Sequence, residues 1–478
     1  MLGMTSSAGD SSRIPGISLN NYIKYIKLIM RKFKIKTLGC KVNQAESETI
    51  GRQLEEAGWR WVGPQETADI CIVNTCTVTQ RASMQSRQAV RQAIRNDPRA
   101  EVIVTGCYAQ IAPDEIRAID GVDTVVAHDQ KRDIAERILG RNRKVDRAPE
   151  PADRKYRTSN VGIGHRARPF YKIQDGCNAF CTYCIVPHAR GPSRSLPLET
   201  ALAGIERIQS AGYSEVVLTG IHLGTYGRDL SPPTDLLQLL RRIREGRIIR
   251  RVRLSSIEPL EMTGDLIDHI ARSQSGPGRV CAHVHIPLQS GDDGILNKMR
   301  RPYSRQYFRD LITEVRRRLP EAAIGVDTLI GFPGESRQAF EDTHRLVADL
   351  PVTYLHVFPF SARRGTPAYH YPDKVGDEEI RRRCLRMRKL GKIKKSDFYN
   401  KYVDRLLEVV VETTSPTGGS FTGTSANYIP VRIESASAVP SEQALVWVRG
   451  KAVSPDLRLM GRIAAPDASI IDSGTGTN

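Results

Sequence analysis

The sequence predicts an α/β protein in three parts: an open parallel-sheet domain, an open β/α barrel of six units, and a small all-β barrel. Two alternations and one break carry this reading. From Phe33 to about Gly140, and again from Phe170 to about Ser361, short apolar runs alternate with helical periodicity, the pattern of parallel strands joined by crossover helices. After Lys401 that alternation stops, and short β runs take over, punctuated by Gly418-Gly419 and Ser454-Pro455-Asp456 turns. The expected boundaries are an extension over 1–32, a first domain over 33–140, a Pro- and charge-rich linker over 141–168, a barrel domain over 169–400, a small barrel over 401–465 and a polar tail over 466–478.

The extension reads as disordered or as a surface helix. Its charges are scattered among apolar residues and no small-residue cleavage site follows, which argues against a signal peptide. Met30 offers an alternative start. The tail is Gly/Ser/Thr-rich and is expected to be disordered.

In the first domain the expected strands are Phe33–Leu38, Asp69–Asn74, Glu101–Thr105 and Thr124–Ala127, with helices at Ala45–Ala57, Gln80–Arg95 and Gln130–Leu139. Cys40, Cys76 and Cys107 each stand just after one of the first three strands. The carboxyl ends of parallel strands line one edge of an open sheet, where ligands bind, so the three thiols should converge there. Cys71 and Cys281 lie inside strand-like runs and read as small buried residues; Cys384 sits on a basic helix with no partner in view.

The middle domain shows six strand-like runs: Phe170–Gln174, Glu215–Thr219, Arg251–Ser255, His283–Leu288, Ile324–Ile330 and Tyr354–Phe358. That is too few for the common closed barrel. The first run leads into Cys177, Cys181 and Cys184, a C-x3-C-x2-C loop. Three thiolates on one loop can hold three corners of an iron–sulfur cubane, leaving one iron open to a small molecule. A zinc site would want a fourth Cys or His, and the nearest, His188, lies beyond Pro187. The alternatives are a zinc knuckle or three unrelated cysteines.

Polar and glycine-rich residues gather after the other strands, at the barrel mouth. Arg190, Ser193 and Arg194 follow the cysteine loop and can bind a carboxylate or phosphate, or form a solvated loop. His283 and His285 read as supports of the fold.

Lys and Arg number 71 against 53 Asp and Glu, a formal charge of +18, which favours a polyanionic partner, nucleic acid before a membrane. No apolar run reaches the roughly 18 residues of a membrane span. Nine cysteines without a convincing secretion signal favour metal binding in a reducing, cytoplasmic setting over disulfides. Nine of the fifteen residues from Arg381 to Lys395 are basic, a candidate track for phosphates. In the last part the β runs are Leu406–Glu412, Asn427–Ile433, Ala444–Val448 and Leu459–Ile463, and Tyr428 can stack on a base or fill the barrel.

The stretches Thr37-Leu38-Gly39-Cys40-Lys41-Val42-Asn43-Gln44-Ala45-Glu46-Ser47, Asn74-Thr75-Cys76-Thr77-Val78-Thr79 and Thr105-Gly106-Cys107-Tyr108-Ala109-Gln110, beside the Cys177 loop, resemble the methylthiotransferase family of radical S-adenosylmethionine (SAM) enzymes. The resemblance runs from about Phe33 to Ile463, and Gly423–Val431 looks like the RNA-gripping TRAM domain of that family. It implies an open (β/α)6 radical SAM barrel and two 4Fe-4S clusters, one on Cys177, Cys181 and Cys184 and an auxiliary one on Cys40, Cys76 and Cys107. Gly220 would mark the stretch that meets the methionine end of SAM, with Ser256 and Gln289 lining the pocket. The superfamily's Gly-Gly-Glu signature reads Thr219-Gly220-Ile221 here, so no Glu contact carries over.

The wording around Cys40 is most similar to the branch that acts on N6-threonylcarbamoyladenosine at position 37 of tRNA, beside the anticodon. The implied reaction places a methylthio group on C2 of that base: one SAM methylates a sulfur at the auxiliary cluster, and a second is cleaved to the 5′-deoxyadenosyl radical. It requires tRNA, SAM, a low-potential electron donor and a sulfur source. The rival readings are the same chemistry on isopentenyladenosine or on a ribosomal protein, and, from a different class, a non-catalytic zinc-containing RNA-binding protein.

Overall fold

The computed structural model describes residues 30–140, 166–415, 419–434 and 440–465; the expectations for 1–29, 141–165 and 466–478 lie outside them. The first domain is a five-stranded parallel sheet in the order Arg60–Trp61, Lys32–Thr37, Ile70–Thr75, Glu101–Gly106, Thr124–Val125. Every residue of the central Ile70–Thr75 strand is buried, as expected for a parallel strand covered on both faces. Phe33, Ile50, Leu54, Ile72 and Ile103 pack on one face, and Cys71, Val73, Val90, Val102 and Val104 on the other.

Three details differ from the sequence reading. A two-residue edge strand, Arg60–Trp61, pairs with Lys32 and Phe33. The span read as one helix at Gln130–Leu139 is a 3-10 turn, His128–Asp133, followed by a short helix, Ile134–Ile138. The first helix begins at Lys41, with Cys40 as its extended N-cap, because Asn43 and Glu46 on its first turns are buried against polar partners that apolar periodicity does not register.

The middle domain has its six strand positions, all parallel. Phe170–Lys172, Glu215–Thr219, Arg251–Leu254 and Arg279–Val280 form one sheet; His283–His285, Ala323–Ile330 and Tyr354–Pro359 form the next. The fourth run is therefore in two pieces, the first pairing with Arg251–Leu254 and the second with Ala323–Ile330. Cys281 and Ile257 donate to the Val252 and His285 carbonyls (2.7 and 2.9 Å) and tie the sheets together. Among the described residues no ladder joins the first strand to the sixth, so the barrel is open. The first run ends early, and Gln174–Asp175 instead pairs antiparallel with Arg194–Ser195, a ribbon that leads into and out of the cysteine loop.

Helix Asp377–Asn400 lies against the sixth strand, with Cys384 and Met387 in the barrel-domain core. The chain then closes a five-stranded barrel in the order Leu406–Thr414, Ser420–Ser425, Pro430–Glu434, Leu459–Ile463, Leu445–Val453. Ser420–Ser425 is a strand the sequence reading lacked, and the Asn427–Tyr428 part of an expected strand is a turn.

This small barrel sits under the amino-terminal ends of the β/α strands. Arg251 and Arg253 are buried, share Glu215, and donate to the carbonyls of Thr424 (3.1 Å), Ser425 (2.9 Å) and Ala426 (3.0 Å). Tyr428, at φ +65°, packs its ring 4.3 Å from His283, 5.8 Å from Tyr354 and 5.3 Å from the Arg253 guanidinium. The ring plugs the floor of the neighbouring barrel instead of waiting for a base.

Candidate active site

The Cys177–Cys184 loop stands at the carboxyl end of the first barrel strand. Gly176 permits the entry turn: at φ +73° a Cβ there would lie 2.0 Å from the Pro192 carbonyl oxygen. The loop is pinned by Cys177 N–H to the Gly191 carbonyl (3.1 Å), Thr182 N–H to the Met299 carbonyl (3.2 Å) and Ala368 N–H to the Thr182 carbonyl (2.9 Å). The three thiols share one field: burial, and then the charges of Cys181 and Cys177, push Cys184 up to about 12. Two cations face them. Arg301 donates to Cys181 Sγ (3.4 Å) and is held by Glu258, while His222 Nδ1 lies 3.6 Å from Cys177 Sγ.

Gly220, Ser256 and Gln289 follow the second, third and fourth strand positions, on the same rim as the loop. A Cβ on Gly220 would lie 2.8 Å from Gln174 Oε1, the atom that accepts from His222 N–H (2.8 Å). Ser256 is partly exposed on the rim. Gln289, at φ +66°, donates through its N–H to the Asp327 carbonyl (2.8 Å), and its own carbonyl accepts from Leu329 N–H (2.9 Å).

The second cysteine triad lies on the carboxyl edge of the first sheet. Gly39 turns there at φ +96°, and a Cβ on it would meet Cys76 Cβ and Sγ at 2.9 Å, so the Cys40 turn rests directly on Cys76. Cys107 opens a short helix from the third strand. Burial, and then the neighbouring thiols Cys107 and Cys40, leave Cys76 near 11; Cys107 is raised by burial and by Cys40, against the pull of Arg190 and Lys131. The three cysteines do converge.

Three-ligand groups whose donor atoms all lie within 4.8 Å of one another occur, among the described residues, at His285–Asp327–His356 and Glu46–His128–Asp175, and at neither cysteine triad. Three thiols gathered at one place form a donor set in which each can take one iron of a cubane.

Between the triads lies a buried ionic hub that sequence reasoning missed. Arg190 donates to Glu46 (3.0 Å), Asp175 (2.8 Å) and Asn43 (2.5 Å). Lys131 and Lys172 donate to Glu46 (2.6 and 2.8 Å), and His128 pairs with Asp175 (3.2 Å). Burial would raise both carboxyls, but Arg190 and Lys131 hold Glu46, and Lys172 and Arg190 hold Asp175, well below their ordinary range. The available signal was Asn43 and Glu46 three residues apart, on one helical face directly after Cys40.

This hub corrects one expectation: Arg190 binds carboxylates, but the protein's own. Ser193 and Arg194 also turn inward, to Gln174 (2.9 Å) and Asp175 (3.4 Å). On the opposite rim Arg363 donates to Thr77 (2.6 Å) and Gln80 N–H to Ser361 (2.9 Å), so the first domain grips both edges of the open barrel.

The lumen below is polar. Asp327 accepts from His285 (2.8 Å) and pairs with His356 (3.2 Å); the Tyr354 hydroxyl bridges His283 (2.7 Å) and His285 (3.0 Å). The two histidines read as supports of the fold are buried, and both meet the Tyr354 hydroxyl. The basic helix is only partly a free track. Arg383 is buried against Glu335 (2.6 Å) and Glu379, Arg382 pairs with Glu379, and Arg386 with Glu341, which leaves Arg381, Arg388, Lys389 and Lys392 exposed.

Comparison with known proteins agrees with this geometry. Residues 32–127 match the model of the uncharacterized protein family UPF0004, and residues 171–347 that of the radical SAM superfamily. Among solved structures, the radical SAM methyltransferase TsrM of Kitasatospora setae shares the fold, with a TM-score of 0.51 at 15% identity over 71% of this chain and 77% of that one. The chain is thus a radical SAM protein, a class that uses SAM and a 4Fe-4S cluster.

It is 37% identical to the threonylcarbamoyladenosine tRNA methylthiotransferase MtaB of Bacillus subtilis, over 83% of this chain and 88% of that protein. It is 34% identical to the MtaB of Aquifex aeolicus, over 80% and 92%. It is also 30% identical to a tRNA-2-methylthio-N(6)-dimethylallyladenosine synthase of Clostridium botulinum, over 83% and 91%. The chain belongs to the radical SAM methylthiotransferase family, and it is a transferase.

Proposed function

We propose that this protein is a cytoplasmic enzyme that methylthiolates C2 of N6-threonylcarbamoyladenosine at position 37 of tRNA. The observation that carries the reading is the placement of two separate thiol triads, one at three strand ends of the first sheet and one on a loop after a barrel strand, joined by the Glu46–Arg190–Asp175 hub. Cys177, Cys181 and Cys184 would hold the SAM-binding cluster, and Cys40, Cys76 and Cys107 the auxiliary one. Gly220, Ser256 and Gln289 would border SAM. When bound, these groups supply the electron, the radical, the sulfur and the methyl group.

The chain's own residues supply position. Gly220 leaves room at the mouth, Arg301 and His222 face the thiols, and the first domain is tied to both edges of the open barrel through Arg190 and Arg363. A low-potential electron donor and a sulfur source complete the partners. Higher identity to the MtaB proteins than to the dimethylallyladenosine synthase favours the threonylcarbamoyl substrate. Anaerobic reconstitution followed by nucleoside analysis of tRNA bearing either modified adenosine tests it, and turnover of the dimethylallyl form alone would refute it.

The exposed cations of the long helix are assigned to tRNA phosphates. Changing Arg381, Arg388 and Lys389 together to Ala should flatten log K against log salt by about two units or more. Arg383, expected at first to belong to this set, is excluded because its burial against Glu335 makes it part of the fold. Filter binding at several salt concentrations reads the slope; an unchanged slope returns the helix to a solvated face.

A further inference from the structure

One three-ligand group belongs neither to the cysteine triads nor to the ionic hub. Three neighbouring parallel strands build it: His283–His285, Ala323–Ile330 and Tyr354–Pro359. Asp327 and His356 are register partners, and His285 pairs with Gly325, two residues before Asp327, so the three side chains leave one face of the sheet. The alternate residues Val284, Ile324 and Val326 lie in the barrel-domain core, with Leu355 and Val357 packed against it. That core takes the apolar face, and the other face carries the polar row. His285 Nε2 lies 2.8 Å and His356 Nδ1 3.2 Å from one oxygen, Asp327 Oδ1, and the three donor atoms lie within 4.8 Å of one another. An ion bound at about 2.0–2.2 Å holds neighbouring donors about 3.0–3.4 Å apart, so small side-chain shifts would seat one here.

The Glu46–His128–Asp175 group makes the contrast. There Arg190, Lys131 and Lys172 already neutralise the carboxylates, and a metal ion would have to displace them. Among the described residues Asp327 pairs with no Lys or Arg, and its ion-pair partners are the two imidazoles. Two imidazoles and a carboxylate form a donor set for a divalent transition metal. The group also has an outer support. The Tyr354 hydroxyl lies 3.0 Å from His285 Nδ1 and 2.7 Å from His283 Nε2, so it can accept from the first and donate to the second. That arrangement leaves the His285 Nε2 lone pair free to ligate and fixes the ring. His356 is half-exposed, which gives an ion a way in.

We propose that His285, Asp327 and His356 bind one divalent transition-metal ion, of the zinc or iron(II) kind, at a mononuclear site without cysteine ligands. Three protein ligands make an open site, in which water or another oxygen donor completes the coordination.

The probe is Zn2+. The anaerobically reconstituted holoenzyme is stripped of loosely bound metal with a chelator, its remaining iron is counted, and it is dialysed against micromolar Zn2+. Plasma mass spectrometry reads zinc and iron together. The wild type should take up one zinc per chain with its iron unchanged. Asp327→Asn and His356→Ala each remove a ligand and should weaken zinc binding by at least about tenfold, the loss that even an outer partner of a ligand brings. Tyr354→Phe, acting through His285, should weaken it by about tenfold. Because His356 is half-exposed, His356→Ala decides should Asp327→Asn fail to fold; iron content and melting temperature check both. A wild type that takes up no zinc, zinc uptake only at the expense of iron, or undiminished binding by His356→Ala overturns the site. None of these results bears on the methylthiolation reading, which the nucleoside analysis tests separately.

Discussion

Replacing Cys177, Cys181 and Cys184 together with Ala should abolish SAM cleavage, whereas replacing Cys40, Cys76 and Cys107 should leave cleavage to 5′-deoxyadenosine measurable and abolish methylthiolation. The two triads come from different supports, one from a loop at a barrel strand and one from three strand ends of a separate sheet. Each variant should therefore lose about half of the roughly eight irons that two cubanes carry. On the proposed assignment, the open-iron chemistry belongs to the Cys177–Cys184 loop, with Gly220, Ser256 and Gln289 on the same rim. Liquid chromatography of 5′-deoxyadenosine beside mass spectrometry of the modified nucleoside reads both activities from one reaction. Full product formation by the Cys40–Cys76–Cys107 variant would remove the auxiliary cluster from the account.

The second large effect is expected at the hub. Glu46→Leu leaves Arg190, Lys131 and Lys172 without their shared carboxylate in a buried site, and breaking a buried ion pair costs about 3–5 kcal/mol. Glu46→Gln should cost less because it keeps an acceptor, and adding Lys131→Met to it should recover part of the loss by removing one stranded charge. The pH dependence has a definite sign. Arg190 and its neighbours hold the Glu46 and Asp175 carboxyls below their ordinary 4.5 and 3.8, so their contribution is complete above that range and is lost as pH falls below it. The melting-temperature gap between wild type and Glu46→Leu should thus be widest near neutrality and shrink in acid. A constant gap would mean that packing, not charge, makes the difference.

The cysteines were legible because their positions repeat: a thiol directly after each of three parallel strands, and a second set at short spacing after a fourth. The six barrel strands were legible through apolar runs, yet the fourth breaks around Cys281-Ala282 to change partners, a switch of sheet that no run of side chains announces. Ser420–Ser425 escaped because only Phe421 is a large apolar residue in Ser-Phe-Thr-Gly-Thr-Ser; closure of the small barrel makes it a strand. The hub was illegible for another reason. Its members come from the first helix, a 3-10 turn, the first barrel strand with its ribbon, and the short helix after the cysteine loop, and buried charges leave no periodic trace. Tyr428 was read as a choice between base stacking and barrel filling, and its place beneath His283 follows from how two domains meet. The basic helix shows the same limit: composition counted Arg383 as surface charge, and tertiary packing buried it.

The central claim is that two clusters on facing rims convert threonylcarbamoyladenosine to its 2-methylthio form. The most direct measurement is nucleoside mass spectrometry of tRNA from cells with and without the gene, compared with tRNA treated by the reconstituted protein. The account predicts that the 2-methylthio derivative of threonylcarbamoyladenosine disappears with the gene and returns on treatment with the protein and SAM. Loss of the methylthio group from isopentenyladenosine instead, or an unchanged tRNA profile with altered ribosomal protein, would contradict it.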